Sequence, residues 1–462
     1  MLLKNFLIRN VLLAFLPLFI IFSSCGKDDS PAPEEEEEQE ILGTVEMVKT
    51  FGGSGIDEAV SVVEAADGNY VVFGTTRSTD GDLSGRTGTD GDYWLLKISK
   101  TGEKIWSKTY GGSDDESAAK ITHTKDGGYL LSGYATSSDG DVSSNAGFQD
   151  YWILKVDTQG NKQWDKSFGF PGSDQAFKAF QTSDGGYFIT GFFDVSASGG
   201  AGNDLQKGFD QTLTRGTLHG VGEFWGIKLD ANGNKQWRRY FGGTNNDRSY
   251  DAWETADGGF LMTGTSESVD FDKTDPKGSY DYWAVRLTAG GDLVWTKSFG
   301  GSEIDNSYAS IKTNDGNYIM VGDSRSADQD VTSPRGNADA WMVKFDDNGN
   351  KIWQKSFGGS QFDTAHSIVQ RSNGDYIFSG HSRSADGDLE SNNGVNDAWI
   401  FIVDANGTLK AQKNVGGSGL DFASEAIETS DNKVLAVGNS ESNDKDIPLN
   451  QGSKDFLIIT LK

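Results

Sequence analysis

Hydrophobic and polar positions along the chain follow one pattern that recurs about every sixty residues. In one copy, a mixed segment at Glu116–Lys125 precedes a mostly apolar segment at Tyr129–Tyr134, and two more segments follow at Tyr151–Val156 and Gln163–Phe168. Asp-Gly-Gly follows the first segment and Asp-Thr-Gln-Gly-Asn follows the third, and such residues form tight turns between paired strands. The pattern predicts four short antiparallel strands in each copy.

A Phe-Gly, Tyr-Gly or Val-Gly step closes each copy, and its spacing counts the copies. The step falls at Phe51, Tyr110, Phe168, Phe241, Phe299, Phe357 and Val415, at intervals of 59, 58, 73, 58, 58 and 58 residues. A near-constant period indicates a repeat architecture, and four-stranded antiparallel units repeated around a ring are the blades of a β-propeller. We predict an all-β fold over residues 42–462, a seven-bladed β-propeller of four-stranded antiparallel blades.

The two ends of the repeat region predict how the ring closes. The final copy begins at Asp421 and holds three strands, the last of them Asp455–Leu461. Val45–Phe51 has the fourth-strand pattern instead, with Met47 in the place of the recurrent Trp and Lys49 in that of the recurrent Lys. Pairing this strand with the final three would leave no sheet edge unpaired, so we predict a 3+1 blade.

Charge and cysteine content exclude some classes of partner and bond. The formal net charge is −27, and it becomes −29 without residues 1–24, whose charged side chains are Lys4 and Arg9. An acidic chain repels the phosphate backbone, so we expect no nucleic-acid partner. Cys25 is the only cysteine, so no intrachain disulfide supports the fold.

Residues 1–24 have the anatomy of a secretory signal peptide, because Lys4 and Arg9 accompany an apolar run at Val11–Phe22. The following Phe-Ser-Ser-Cys, which ends at Cys25, resembles the lipobox at which a bacterial lipoprotein is lipidated and cleaved. That resemblance implies attachment to the membrane through a lipid anchor on Cys25. A non-lipidated signal peptide with an incidental cysteine is the alternative.

Residues 25–41 are predicted to form an acidic flexible tether, since a Pro-Ala-Pro step and the run Glu34–Glu38 cannot build a core. Gly26–Asp29, Gly-Lys-Asp-Asp, looks like the export signal of Bacteroidetes-type surface lipoproteins. We therefore expect an outer-membrane lipoprotein exposed at the cell surface, with the periplasmic face as the alternative.

The repeats also resemble a known group. Trp-x-Lys-Ser-Phe-Gly-Gly-Ser, Asp-Gly-Gly-Tyr and Asp-Gly-Asp-Val are similar to bacterial β-propeller repeats of the SBBP kind, which occur in secreted and surface proteins. The resemblance covers residues 42–462. It implies the propeller fold, and it implies neither a defined activity nor a catalytic motif.

Tryptophan recurs in register, which indicates packing between blades rather than sugar stacking. Third strands hold Trp94, Trp152, Trp225, Trp283, Trp341 and Trp399, and fourth strands hold Trp106, Trp164, Trp237, Trp295 and Trp353. Trp253 replaces an aliphatic or aromatic residue of the other first strands, and we expect it in the core as well.

An acidic residue begins the first strand of every blade. The seven are Asp57, Glu116, Asp174, Asp247, Asp305, Asp363 and Asp421. One interpretation is a carboxylate that accepts backbone N–H groups of the Gly-Gly-Ser turn, and the other is a ring near the channel mouth that attracts cations.

The loop between second and third strands repeats Asp-x-Asp, eight residues and a further Asp. The sets are Asp139, Asp141 and Asp150; Asp270, Asp272 and Asp281; Asp328, Asp330 and Asp339; Asp386, Asp388 and Asp397; Asp444, Asp446 and Asp455; and, with one extra residue, Asp80, Asp82 and Asp92. Three carboxylates on one loop suit Ca²⁺, the candidate cofactor, whereas Asp-Gly is also ordinary turn chemistry. In an up-and-down blade this loop and the Gly-Gly turn emerge on one face, where we expect binding.

Blade 3 breaks the pattern with a longer, glycine-rich loop at Asp194–Gly222 that lacks Asp-x-Asp. Long loops on rigid scaffolds often carry function, although a neutral insertion is the alternative. The candidate ligand-binding residues in this loop are Asp204, Lys207, Asp210, Arg215 and His219.

Catalytic motifs such as His-Glu-x-x-His and Gly-x-Ser-x-Gly do not occur in the sequence. The favoured function is therefore a lipid-anchored, non-enzymatic binding or scaffold module of the cell envelope that presents loops to a glycan or protein ligand. The alternative is a carbohydrate-active hydrolase that uses carboxylates at the channel mouth. A structural part of a larger envelope complex is the third hypothesis.

Overall fold

The computed structural model describes residues 43–204 and 219–462. The predicted signal peptide, the predicted tether and Cys25 lie outside the described residues, as do Lys207, Asp210 and Arg215 of the blade 3 loop. The expectations about those residues stay predictions.

Short strands make up about half of the described residues. In chain order they are β1 (Val45–Phe51), β2 (Asp57–Glu64), β3 (Tyr70–Thr76), β4 (Asp92–Ile98), β5 (Lys104–Tyr110), β6 (Glu116–His123), β7 (Tyr129–Ala135), β8 (Asp150–Val156), β9 (Lys162–Phe168), β10 (Gln175–Gln181), β11 (Tyr187–Phe193), β12 (Glu223–Leu229), β13 (Lys235–Phe241), β14 (Asp247–Glu254), β15 (Phe260–Ser266), β16 (Asp281–Leu287), β17 (Leu293–Phe299), β18 (Asp305–Lys312), β19 (Tyr318–Ser324), β20 (Asp339–Phe345), β21 (Lys351–Phe357), β22 (Asp363–Gln370), β23 (Tyr376–Ser382), β24 (Asp397–Val403), β25 (Leu409–Val415), β26 (Asp421–Glu428), β27 (Val434–Ser440) and β28 (Asp455–Leu461). A 3₁₀ turn at Gly81–Leu83 and a one-turn helix, α1 (Val195–Ser198), lie in loops. Across the described ranges, no helix is long and apolar enough to cross a membrane.

The strands form seven antiparallel sheets of four strands each, which are the blades. Blades 1 to 6 each take four consecutive strands, from β2–β5 to β22–β25, and blade 7 has the order β26-β27-β28-β1. In blade 7, Val48 lies opposite Ile459 and Phe51 opposite Phe456. The predicted seven-bladed β-propeller and its 3+1 closure are confirmed.

The first strand of every blade lies innermost. Each contacts the first strands of the two neighbouring blades, and β26 contacts β2, so the seven strands form a closed ring. Positions in these strands are counted from the recurrent acidic residue, which in blade 3 is Asp174, directly before β10. The first and third residues are buried, whereas most second and fourth residues are partly exposed. The partly exposed positions of innermost strands face the axis, so they line a central channel.

A β-bulge at the fourth residue bends every first strand. In blade 4 the pairing with β15 passes from Ser249 to Asp251 and skips Tyr250, and the same skip occurs in the other six blades. A glycine of the second strand lies beside the bulge, because a Cβ on Gly264 would stand 1.9 Å from the Arg248 carbonyl oxygen. The bulge shifts the alternation by one residue, so the fifth residue shares the channel side with the fourth.

The core lies between adjacent blades. All six third-strand tryptophans are at most 1% exposed. The Trp94 ring lies 4.2 Å from the Phe456 ring of blade 7, and the Tyr93 hydroxyl donates to the Trp152 carbonyl of blade 2 over 3.1 Å. The recurrence of these tryptophans therefore reflects packing between blades, in agreement with the sequence analysis.

Candidate functional site

The joint between two blades is the turn that links the fourth strand of one blade to the first strand of the next. The acidic residue at the start of the first strand accepts hydrogen bonds from this turn, and all seven such residues are at most 1% exposed. Asp363 accepts hydrogen bonds from the Gly359 N–H and the Ser384 hydroxyl, both over 2.7 Å, and from the Ser382 hydroxyl. The other six carboxylates accept the equivalent backbone N–H over 2.7–2.9 Å. This is the turn-capping geometry, in which the carboxylates are occupied by donors of the protein itself.

The loop between second and third strands packs on the same joint. Asp386 accepts the Ser360 N–H over 2.8 Å, and Asp388 accepts the Gly358 N–H over 3.1 Å. The same two bonds form at Asp80 and Asp82, Asp139 and Asp141, Asp270 and Asp272, Asp328 and Asp330, and Asp444 and Asp446. Both acidic sets therefore lie on one face of the ring, as the sequence predicts.

The third carboxylate of each loop turns toward the next joint. Asp397 accepts the Asn393 N–H over 2.5 Å through Oδ2, whereas its buried Oδ1 has no hydrogen-bond donor among the described residues. A Cβ on Gly416 would lie 2.5 Å from that Oδ1 and 2.8 Å from Oδ2 of Asp421, so the two acids of neighbouring blades face one glycine. Asp92, Asp150, Asp281, Asp339 and Asp455 begin the third strands of the other five blades with this loop. The three acids of one loop thus serve two joints.

Burial raises the pKa of the third carboxyl in blades 1, 2, 5, 6 and 7. Burial raises the pKa of Asp397 to about 6, and the nearby charges of Asp421 and Asp446 add to the effect. Burial likewise raises the pKa of Asp455 to about 6, together with the charges of Asp57 and Asp82. A raised carboxyl pKa means that the fold disfavours the ionised form, so these residues reduce stability at neutral pH.

Calcium binding is one of the two interpretations of the three carboxylates of each loop, the other being turn-forming carboxylates, and the structure distributes the three carboxylates over two joints. Within residues 43–204 and 219–462, no group of three or more His, Cys, Asp or Glu side chains is arranged to hold a metal ion. Each carboxylate accepts a hydrogen bond from the protein instead. Calcium binding stays a prediction.

Blade 3 builds its loop differently. Asp194 caps α1 by accepting the Ala197 N–H over 2.9 Å. Glu223 takes the place of the third aspartate, and burial raises its pKa well above the usual value. Blade 3 thus keeps an acidic residue at the start of its third strand, a glutamate in place of the third aspartate.

Two of the five candidate ligand residues of blade 3 lie in the described part of the chain. Asp204 forms ion pairs with Lys235 over 2.5 Å and with Arg238 over 3.1 Å. His219 is buried, with Nδ1 3.3 Å from Glu223 Oε2, and its ring stacks on Phe271 at 4.9 Å. Asp204 and His219 thus contact the blade itself, and a ligand site in this loop stays a prediction.

The central channel is lined differently on its two sides. At the fourth position of the first strand, blades 3 to 6 carry Phe177, Tyr250, Tyr308 and His366, whereas blades 7, 1 and 2 carry Ser424, Val60 and Ala119. Successive ring centroids of the first four are 4.7, 5.9 and 4.7 Å apart. These four residues form a continuous surface, here called the aromatic wall. Burial lowers the pKa of His366 to about 4, so the imidazole of the wall is neutral at neutral pH.

An ion cluster occupies the next position of the first strand in four blades. Lys178 Nζ lies 2.5 Å from Asp251 Oδ1, and Lys120 Nζ lies 2.5 Å from Glu425 Oε1. The charge of Asp251 also acts on Lys120, so the two ion pairs, which lie in blades 2, 3, 4 and 7, interact electrostatically. Trp253, expected in the core, is half-buried, with its ring centroid 3.8 Å from Lys178 Nζ. We call these four charged residues the channel ion cluster.

The sequence analysis assigned no role to the aromatic wall or to the channel ion cluster. A signal for both was present, because aligned first strands keep the first and third residues similar while the fourth and fifth differ between blades. A search for recurrence selects positions that hold the ring together. The positions that line the channel are those that break the repeat.

Two cavities of about 300 Å³ open along the channel lining. The first lies between blades 4 and 5, and its lining includes Arg248, Tyr250, Asn306 and Arg325. The second is lined by residues of blades 6, 7 and 1, including Glu58, His366, His381, Phe422 and Lys454. This volume is at the lower end for small-molecule sites, and each cavity contains a residue of the aromatic wall.

No protein-family model matches the chain. Regulatory protein FlaEY of Caulobacter vibrioides is 24% identical to this chain over an alignment of 276 residues. The alignment covers 54% of this chain and 28% of that protein, so the chain spans less than a third of that relative. Among solved structures, the WD40 domain of Neurospora crassa Pan2 aligns with a TM-score of 0.47 and 8% identity over 88% of this chain and 89% of that one. Sqt1 from Chaetomium thermophilum aligns with a TM-score of 0.42 and 10% identity over 85% and 83%. The propeller assignment rests on the strand topology, not on these distant likenesses.

Proposed function

We propose that this protein is a non-enzymatic binding module of the cell envelope, which holds a glycan or protein ligand at the long-loop end of its channel. The observation that carries the proposal is the asymmetry of the channel lining. The joints are already held by the recurrent carboxylates, so packing does not require an aromatic wall on four blades only. Partly exposed aromatic side chains on a rigid scaffold offer large contact area at low entropic cost, which favours ligand binding.

The cellular setting is proposed from the sequence of residues 1–41. A lipid on Cys25 and a charged tether would hold the ring roughly a few nanometres from the outer membrane. Exposure at the cell surface would present the channel to external ligands, and the periplasmic face is the alternative. The basic start, apolar run and Cys25 of the signal region support this part of the proposal.

A hydrolase is the weaker candidate. A glycosidase needs two carboxyl groups that reach the scissile bond of a bound sugar. The seven first-strand carboxyls instead accept hydrogen bonds within the joints and are at most 1% exposed.

Binding of the full-length protein to arrays of surface glycans and envelope proteins tests the proposal. We expect saturable binding to at least one ligand, with no release of reducing sugar from glycans that are bound. Failure to bind any member of broad arrays would contradict the proposal. Release of reducing sugar that an Asp or Glu substitution abolishes would establish the hydrolase instead.

A further inference from the structure

The cavity between blades 4 and 5 carries two arginines that form no ion pair with a described carboxylate. Arg248 is the second residue of β14, and Arg325 directly follows β19; both side chains are exposed. Among the described residues, neither guanidinium lies within 4.0 Å of a carboxylate oxygen. The Arg248 guanidinium carbon lies 4.9 Å from the Phe192 ring centroid, and such stacking holds a guanidinium while leaving its N–H donors free for a ligand.

The second cavity has its cation neutralised. Lys454 lies 2.8 Å from Glu58 and 3.6 Å from Glu441, and the two nearby imidazoles, His366 and His381, have pKa values lowered by burial. Two cavities of equal volume on one channel thus differ in charge.

In the cavity between blades 4 and 5, neither guanidinium forms an ion pair within 4.0 Å with a carboxylate of the described residues. Two carboxyls lie close to this cavity: Glu267, which accepts a hydrogen bond from Asn246, and the buried Asp323, on which the charge of Arg325 acts.

The rest of this cavity combines ring faces with amide groups. Tyr250 of the aromatic wall and Tyr280 contribute phenol rings, and Asn246 and Asn306 contribute side-chain amides that can both donate and accept. The Asn246 amide nitrogen donates to Glu267 over 3.0 Å. Ring faces pack on the apolar face of a sugar, and amides bond its hydroxyls.

From these groups we infer that the cavity between blades 4 and 5 binds an acidic sugar, a uronate residue of a glycan. Arg248 and Arg325 hold its carboxylate, because the guanidinium fork matches a carboxylate with two parallel hydrogen bonds. Tyr250 packs on the sugar ring, and Asn306 bonds a hydroxyl. This inference rests on the proposed binding function and specifies the ligand class for it.

Because the protein as a whole is acidic, an anionic ligand is attracted only where cationic side chains are locally exposed. The chain is strongly acidic overall, with a formal net charge of −27, so an anionic glycan gains no general attraction to the surface. Binding that depends on negative charge on the ligand must therefore come from local cations. The unpaired guanidinium groups of this cavity supply them.

Calorimetry with a uronate disaccharide and its neutral hexose counterpart tests the inference on the full-length protein. We expect the uronate to bind at least tenfold more tightly than the neutral sugar. Arg248→Ala and Arg325→Ala should each remove most of that preference. Arg77→Ala is the matched control, because Arg77 follows β3 as Arg325 follows β19 but pairs with Asp115 over 2.7 Å, and it should keep the preference.

Equal affinity for both sugars, no binding of the uronate, or an unchanged preference in Arg248→Ala would overturn the inference. If other glycans or proteins still bind and Tyr250→Ala weakens them, the proposed binding function stands without the acidic sugar. If nothing binds the protein on broad arrays, the proposed function itself fails. Equal melting temperatures of the exposed-arginine variants confirm that folding is intact.

Discussion

Replacing Lys178 by methionine is expected to lower the free energy of unfolding by about 3–5 kcal/mol, the largest effect of any single substitution considered for this ring. The Lys178 and Asp251 side chains are 9% and 10% exposed, and their charged atoms lie 2.5 Å apart. Methionine keeps the length and packing of the side chain but leaves Asp251 as a buried carboxylate without its direct cation. Urea unfolding followed by tryptophan fluorescence measures the loss.

Lys344→Met is the matched control for this substitution. Lys344 is buried to a similar degree and lies 2.7 Å from Asp315, but the Asp315 side chain is 52% exposed and stays solvated when its partner is lost. The control should cost about 1 kcal/mol or less. Adding Asp251→Asn to Lys178→Met should recover most of the loss, because both buried charges are then gone. Equal effects of Lys178→Met and Lys344→Met would show that the channel ion cluster does not act as a buried pair.

Asp397→Asn is expected to stabilise the protein at pH 8 by about 1–3 kcal/mol and to have little effect at pH 4. The folded pKa of Asp397 is about 6, above its usual 3.8, so the unfolded chain releases this proton first as the pH rises. Stability from this group is therefore lost between pH 4 and pH 6 and stays reduced at higher pH. Asparagine keeps an oxygen that accepts the Asn393 N–H. Its amide nitrogen takes the place of the Asp397 Oδ1 atom, which accepts no hydrogen bond from the described residues and lies beside Asp421. Urea unfolding at both pH values measures the difference.

The opposite sign is expected for Asp315→Asn. Hydrogen bonds from Lys344 and Thr313 outweigh partial burial and lower the pKa of Asp315, so this carboxylate stabilises the fold above pH 4 and its loss destabilises at pH 8. The Asp397 result also bears on calcium. If Asp397→Asn destabilises the protein at pH 8 in calcium-containing buffer and not after chelation, a bound cation holds the joint and the account of an uncompensated carboxyl is wrong.

The fold could be predicted because the pattern of strands and turns recurs from blade to blade. The period, the turn residues and the orphan strand Val45–Phe51 together specify four strands per blade and a 3+1 closure. The roles of Asp386 and Asp388 at the joint also follow from their spacing. The role of Asp397 does not, since its carboxyl faces Gly416 in the turn to the next blade, beside Asp421 of that blade, and this contact depends on how one blade packs on another.

The aromatic wall was missed for a physical reason. Alternation along β14 places Tyr250 on the side of Arg248 and away from the buried Ser249. The bulge brings Asp251 to that side as well. The channel side of the first strand carries residues that differ from blade to blade, so the recurrent pattern does not single it out. Arg248 and Arg325, separated along the chain by more than a blade, meet in one cavity only because neighbouring blades pack side by side.

The central claim is that ligands bind along the channel, and that the recurrent aspartates hold the ring together. The most direct test compares Tyr250→Ala, in the aromatic wall, with Asp386→Ala, at a joint, by calorimetry with the ligand that binds most tightly on the arrays. The account predicts at least tenfold weaker binding for Tyr250→Ala and unchanged affinity for Asp386→Ala. Retained affinity in Tyr250→Ala together with lost affinity in Asp386→Ala would contradict it and assign binding to the aspartate loops.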